Sequence, residues 1–403
     1  MSKTIVIIGA GLAGLSAALQ AAENGCNVKL VSFLPSERAQ SVMAEGGINA
    51  ALNTKDENDS PKEHFTDTIK AACGLADPNA VWGMTQAAPE LVHWLLKLGV
   101  KFNMSGYDDV DLRNFGGQKK KRTAFAQSDT GKQIMTAMID AVRRKEASGM
   151  VERFSHHSFL TLRLCGNICC GCVIRDEYSQ ETVELPGDAV IVATGGMHGL
   201  FGNTTGSLSN TGEVTAELFR LGVPLANGEM IQYHPTTVKC GGKRMLISEA
   251  ARGEGGRLFA MKDGKQWYFM EEKYPELGNL MPRDITAREI WKVSHESEVF
   301  LDMTEISEEI ISNKLSGLAD DCMTYLHKDI RKEPVSVLPG IHYFMGGILV
   351  DEQHRTPIQN LYAAGECCAQ YHGANRLGGN SLLGALYGGR VAAKSACEQA
   401  DVV

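Results

Sequence analysis

A buried strand, a glycine turn and a helix follow one another at the start of this chain, and that succession leaves little choice of fold. Thr4-Ile-Val-Ile-Ile8 has the unbroken β-branched apolarity of a strand covered on both faces. Gly9-Ala-Gly-Leu-Ala-Gly14 follows at once. Leu15 to Glu23 then reads as a helix, Gly25 as its stop, and Val28-Lys-Leu-Val31 as a second strand. Strand, G-x-G-x-x-G, helix, strand predicts a dinucleotide-binding unit: Gly9, Ala10, Gly11 and Gly14 let backbone approach a pyrophosphate at a helix start. The pattern usually ends its second strand on an acidic residue. Ser32 stands there instead, with Glu37 later, and a serine hydroxyl can still bond a ribose, less strongly than a carboxylate.

The chain has 403 residues, room for two or more domains and a large core. Its net charge of −8 argues against nucleic acid or an anionic membrane as partner. Met1-Ser-Lys3 leads directly into the first strand, which is not the pattern of a signal peptide. The longest uncharged run, Ala189 to Gly212, is rich in Gly, Asn, Ser and Thr and predicts no membrane span. Eleven cysteines without a secretory signal point to a reducing, cytoplasmic setting. Cys165, Cys169, Cys170 and Cys172 include a C-x-x-C, but no second pair follows at zinc spacing. The flanking Phe159 to Leu164 and Cys170 to Ile174 alternate like two strands joined at Gly166-Asn167, so a hairpin core is expected and no metal site. Cys367-Cys368 gets the same reading.

Helices are expected over His64 to Gly74, Asn79 to Leu98, Gly131 to Ser148 and Thr211 to Leu221. Asn53 to Pro61 is polar and expected to be exposed. Lys119-Lys-Lys-Arg122 is a charge run, read as a solvated turn rather than an anion patch. From about Gly241 to Tyr343 the composition becomes more charged, which suggests an inserted domain. A second anion-handling segment is His372-Gly-Ala-Asn-Arg-Leu-Gly-Gly-Asn-Ser-Leu-Leu383: a fixed cation, Arg376, in a glycine turn that runs into a helix start.

The segments taken in order resemble the flavoprotein subunit of the succinate dehydrogenase and fumarate reductase family. They are Gly9 to Gly14, Ala44-Glu-Gly-Gly-Ile48, Phe115-Gly-Gly-Gln118, Ala193-Thr-Gly-Gly196, His234-Pro-Thr236, Ser248-Glu-Ala-Ala-Arg-Gly-Glu-Gly-Gly256, Pro282-Arg-Asp284, His342-Tyr-Phe-Met-Gly-Gly347, Ala364-Gly-Glu366 and His372 to Ser381. The resemblance implies an α/β architecture: a Rossmann-like FAD-binding domain over 1–240 and 344–403, with an α+β capping domain inserted at 241–343. It implies FAD at the glycine turn, lined further by Ser32, Gln40, Gly46, Gly47, Ala193, Thr194, Gly195, Glu366, Ser381 and Leu382. It also implies interconversion of fumarate and succinate. His234, His342, Arg376 and Ser248 match substrate-binding positions. Arg283 matches the proton donor, and Glu249 and Arg252, three apart, match its relay to solvent. Guanidinium groups hold their protons strongly, so such an acid needs resupply.

Each residue also has a plain reading: half-buried histidines, a surface helix pair for Glu249 and Arg252, an ion pair for Arg283 and Asp284, and a structural Arg376. Two departures stand out. The histidine that the membrane-bound members bond covalently to FAD is Gln40 here, so FAD is expected to be noncovalent and the chemistry biased toward fumarate reduction. The family's helical carboxy-terminal domain is expected to be absent, since the chain stops at Val403, which puts docking to an iron–sulfur subunit in question. Location at the cytoplasmic membrane would then be peripheral, through partner subunits. L-aspartate oxidase is a close alternative; that branch places a glutamate where Phe115 stands. A non-catalytic flavin-binding scaffold is the alternative of another class.

Overall fold

The computed structural model describes residues 2–106 and 109–399; the end of the expected 344–403 segment, residues 400–403, lies outside them. At the centre is a parallel five-stranded sheet in the order Leu361–Ala363, Ala189–Val192, Thr4–Ile8, Asn27–Ser32, Val151–Ser155. Its first strand is apolar on both sides because both faces are covered. Ile5 and Ile7 join one apolar cluster with the helices Leu12–Glu23, Pro78–Lys97, Thr130–Ala147 and Asn380–Gln399. Val6 and Ile8 join another with the antiparallel hairpin His157–Cys165 and Ile168–Asp176. Alternation along the strand sends successive side chains to opposite layers.

The expected helices form at Pro61–Ala71, Pro78–Lys97, Thr130–Ala147 and Glu213–Arg220. The cysteine-bearing hairpin also forms, tightened by its third strand Thr182–Pro186. Cys169 and Cys172 point into its core, where burial pushes both thiols up to about 12. Cys165 is exposed, with its Sγ 2.8 Å from that of Cys170.

A separate apolar cluster occupies Ile247 to Val337, joined by Phe115 from the other part of the chain. It covers an antiparallel sheet of Lys265–Trp267, Arg257–Lys262, Val299–Asp302 and Val335–Ser336. The two parts are bridged by one sheet, in which Ile231–Cys240 pairs with both Lys243–Leu246 and Leu338–Phe344. Among the described residues no helix is long and apolar enough to cross a membrane.

Two expectations fail together. Arg122 is not in a solvated turn; it is fully buried, and Asp59 in the supposedly exposed 53–61 segment is buried against it. Arg122 Nε and Nη2 donate to the two oxygens of Asp59 at 3.1 and 2.9 Å, and Nη1 stands 2.9 Å from Asp67. Burial pushes the Asp59 and Asp67 carboxyls up, and Arg122 opposes it. Lys119 and Lys121 are exposed, Lys121 pairing loosely with Glu57 at 3.8 Å, while Lys120 is half-buried and donates to Glu57 O. Removing one member of a buried ionic group strands the others and costs about 3–5 kcal/mol. Arg122→Ala is therefore expected to lower the thermal midpoint by several degrees, whereas Lys119→Ala leaves it unchanged; calorimetric melts of both variants check this.

Candidate active site

The first glycine turn is built for contact with a ligand and tolerates no side chain. Gly9 has φ +110°, and a Cβ there would stand 2.2 Å from Ala193 O; a Cβ on Gly14 would stand 1.8 Å from Gly9 O. The turn is thus pressed against the neighbouring strand end and against its own helix. Gly11, at the start of the helix Leu12–Glu23, offers no capping side chain; Leu12 N donates to Ser41 Oγ at 3.3 Å, and the positive end of the helix dipole faces a cavity of about 810 Å³. That size suits a large ligand. Gly9, Ala10, Gly11, Ser32, Gln40, Gly46, Gly47, Ala193, Thr194, Gly195, Glu366, Ser381 and Leu382 all line it. Gly14 does not; it sits behind the turn, packed under Gly9. Ser32 Oγ is buried and has no partner among the described residues, a donor held ready for a ligand oxygen. These features fit a dinucleotide.

The same cavity extends to a wall of cations. Arg376 is buried with its guanidinium 4.2 Å over the Tyr343 ring, and its Nε has no partner among the described residues. Burial and then the neighbouring Arg283 push Arg376 down to about 9. His234 and His342 stack edge to face, 5.0 Å between centroids. Thr236 backbone engages His234 Nδ1, and Thr205 Oγ1 lies 2.7 Å from His342 Nδ1. Burial first, then the Arg283 charge, hold both imidazoles well below their ordinary range, so both are neutral near pH 7. Ser248 uses its Oγ to cap the helix Glu249–Gly253, accepting from Ala250 N at 3.4 Å.

Glu249 sits at the junction of all of this. Its Oε2 accepts from Arg283 Nε and Nη2 at 2.8 and 2.7 Å; its Oε1 accepts from Gly116 N at 3.0 Å and lies 3.4 Å from Arg252 Nη2. Burial by itself would raise this carboxyl, but the charges of Arg283 and Arg252 prevail and hold it below its ordinary value. All three side chains are nearly inaccessible. The surface-pair reading of Glu249 and Arg252 therefore fails, as does the Arg283–Asp284 pair: Asp284 accepts from Asn375 instead, at 3.0 Å. Three guanidinium groups face one carboxylate across Arg252, Arg283, Arg376 and Glu249, so these four buried side chains sum to two positive charges, with Glu366 a further acidic group that favours the charged form of Arg376. A dianion would relieve that excess.

Several participants escaped the motif reading. Gln232 Oε1 accepts from Arg283 Nη1 at 3.1 Å, and its Nε2 donates to Arg376 O at 2.8 Å, so one amide bridges the two arginines. Strand alternation could have found it, since Gln232 shares a face with His234. His198 is buried, with Nε2 3.1 Å from Glu366 Oε1 and Nδ1 2.8 Å from Thr204 Oγ1. Phe115 fills the join: a Cβ on Gly46 or on Gly378 would each stand 2.7 Å from its ring.

Comparison with known proteins gives this arrangement its context. The family described as FAD binding domain matches residues 4–382. The chain is 44% identical over 403 residues to the succinate dehydrogenase flavoprotein subunit of Bacillus subtilis, covering 98% of this chain and 69% of that one. It is 34% identical to the L-aspartate oxidase of Streptomyces coelicolor, covering 98% and 68%. A mutated quinol fumarate reductase FrdA of E. coli superposes with a TM-score of 0.92 at 31% identity, over 99% of this chain and 70% of that one. The α/β architecture, the FAD-binding turn and the ordered motifs agree with these matches, and the chain belongs to the FAD-binding family of succinate dehydrogenase and fumarate reductase flavoproteins.

Proposed function

We propose that this chain interconverts fumarate and succinate as the flavoprotein subunit of a fumarate reductase or succinate dehydrogenase. The observation that carries this reading is the Glu249 carboxylate buried between Arg252 and Arg283, in the cavity that also presents Arg376, His234 and His342. When bound, FAD supplies or accepts the hydride. The chain's own groups do the rest. Arg376 and His342 hold one carboxylate of the C4 dicarboxylate, His234 the other, with Ser248 beside it. Neutral imidazoles donate hydrogen bonds without adding charge, so the cationic field comes from the arginines alone. Polarising one carboxylate stabilises charge that develops there in the transition state.

Arg283 delivers the proton to the alkene carbon opposite the one that receives hydride, so fumarate takes up H⁻ and H⁺ and leaves as succinate. Loss of that proton removes the larger of the two charges that hold Glu249 down. Burial then favours protonation of the carboxylate, which draws a proton from the Arg252 side and passes it to Arg283. The segment 241–343 acts as a cap whose closure completes the set and excludes water. Docking of an iron–sulfur subunit would supply electrons and keep the assembly peripheral to a membrane.

Gln40, which the resemblance sets at the position of the flavin-linking histidine, lines the cavity. An amide cannot form that bond, so FAD is held noncovalently, and the unraised flavin potential favours fumarate reduction. Phe115 is buried and apolar, which offers no counter-charge to an ammonium and disfavours L-aspartate as substrate. An anaerobic assay of fumarate reduction by reduced viologen, set against oxygen-dependent oxidation of L-aspartate, tests the assignment. Turnover of fumarate alone supports it, and turnover of L-aspartate alone overturns it.

Three outcomes follow from the groups themselves. Arg283→Ala should lose about 10²–10⁴ in fumarate turnover, the usual worth of a positioned acid, and full activity would refute the proton assignment. Acid precipitation should release all flavin into the supernatant; yellow colour in the washed pellet would contradict the Gln40 argument. Because His234 and His342 are held well below their ordinary range, the kcat/KM profile for fumarate should show no histidine step near pH 6.5. An inflection there that disappears in His234→Gln would count against neutral donors.

A further inference from the structure

The turn that carries Arg376 into the site is fastened from beneath by side-chain amides, of which Asn49 makes the most bonds. Asn49 is fully buried and ends the short strand Ile48–Asn49, two residues after Gly47 of the cofactor wall. Its Nδ2 donates to Gly378 O at 2.8 Å and to Asn380 Oδ1 at 2.7 Å, which uses both of its N–H bonds. Its Oδ1 accepts from Thr123 Oγ1 at 2.6 Å, and its backbone N donates to Gly379 O at 3.2 Å. Gln118 Nε2 is a second donor to Gly378 O, at 2.8 Å. Asn380 is locked in turn by His64 Nε2 at 2.9 Å and by its own bond to Thr68 Oγ1 at 3.1 Å.

The other side of the turn meets the acid pair. A Cβ on Gly378 would stand 2.8 Å from Glu249 Oε2 and 3.1 Å from Arg283 Nη2. Gly379 has φ +86°, and a Cβ there would stand 2.2 Å from Asn49 Oδ1. Neither glycine leaves slack, so the Arg376 turn is wedged between the proton-donating pair and Asn49.

We propose that Asn49 is a positioning residue for the dicarboxylate: it sets the height of the Arg376 turn against Arg283 and couples the Gly46-Gly47 wall of the cofactor site to the carboxylate clamp. This rests on the dicarboxylate reading above. A misplacement of about 1 Å in a substrate-orienting group can cost on the order of 10²-fold. Asn49→Asp is the sharpest probe. It keeps the shape and the bond from Thr123, but turns an oxygen toward Gly378 O and Asn380 Oδ1 where a donor stood.

The test uses the FAD-loaded full chain, with succinate affinity measured by calorimetry alongside flavin content, thermal midpoint, and KM and kcat for fumarate. Asn49→Asp should keep its flavin yet bind succinate at least about tenfold more weakly, with KM rising more than kcat falls; Gln118→Leu should show the same split more mildly. Wild-type affinity for succinate in Asn49→Asp would overturn the proposal. So would loss of flavin and succinate in step, which marks a merely structural residue. If Asn49→Asp does not fold, Gln118→Leu decides, and unchanged succinate affinity there overturns it. A wild-type protein that binds flavin but not succinate would instead refute the dicarboxylate reading itself.

Discussion

The Glu249 carboxylate, enclosed by Arg283, Arg252 and the Gly116 amide, is the interaction on which the site depends. Two unit charges about 4 Å apart interact by about 4 kcal/mol at an effective dielectric of 20. Two such attractions outweigh the burial that would otherwise neutralise the acid. The pair therefore stores an ionised carboxylate in the interior and keeps Arg283 fixed at the cavity wall, with Gln232 holding its third nitrogen. Arg376 adds a cation that, among the described residues, has no carboxylate hydrogen-bonded to it, and a dianionic ligand would relieve the resulting excess.

The rest of the molecule brings this group to a flavin. The helices Leu12–Glu23 and Asn380–Gln399 both begin at the cavity and pack closely along their length. Gly389 lies against Ala13 O, where a Cβ would stand at 2.3 Å, and Ser16 Oγ donates to Leu386 O at 2.7 Å. One helix start faces the cofactor wall. The turn before the other carries Arg376. The helix Asn380–Gln399 is thereby tied to Leu12–Glu23, the helix that follows the first strand, and this holds the Arg376 turn in place near the end of the described chain. Glu249 and Arg283 stand beside the separate 247–337 cluster, and the sheet of Ile231–Cys240 with Leu338–Phe344 carries Gln232, His234 and His342 between the two parts.

Much of this was legible because it is written locally. A buried strand before G-x-G-x-x-G fixes a turn, and Glu249 with Arg252 needs only one helical turn to meet. Periodicity also placed the long helices within a few residues. What failed was non-local. Arg122 looked like the last member of a solvated charge run because its partners, Asp59 and Asp67, lie 63 and 55 residues earlier in the chain. Asn49 and Gln118 carry no charge and no motif chemistry; their importance comes from the Gly378 carbonyl that the fold lays upon them. The plain reading of Arg283 with its neighbour Asp284 failed for the same reason: a distant, buried Glu249 is the better partner.

The central claim is that two surplus buried positive charges make this site a receptor for two carboxylates at once. Calorimetric titration of the FAD-loaded protein with succinate and with butyrate, which replaces one carboxylate by a methyl group, tests it directly. A lost charge-assisted hydrogen bond is worth about 1.5–3 kcal/mol, so succinate should bind at least about tenfold more tightly than butyrate. Equal affinity for the two, with flavin fully bound, would contradict the account.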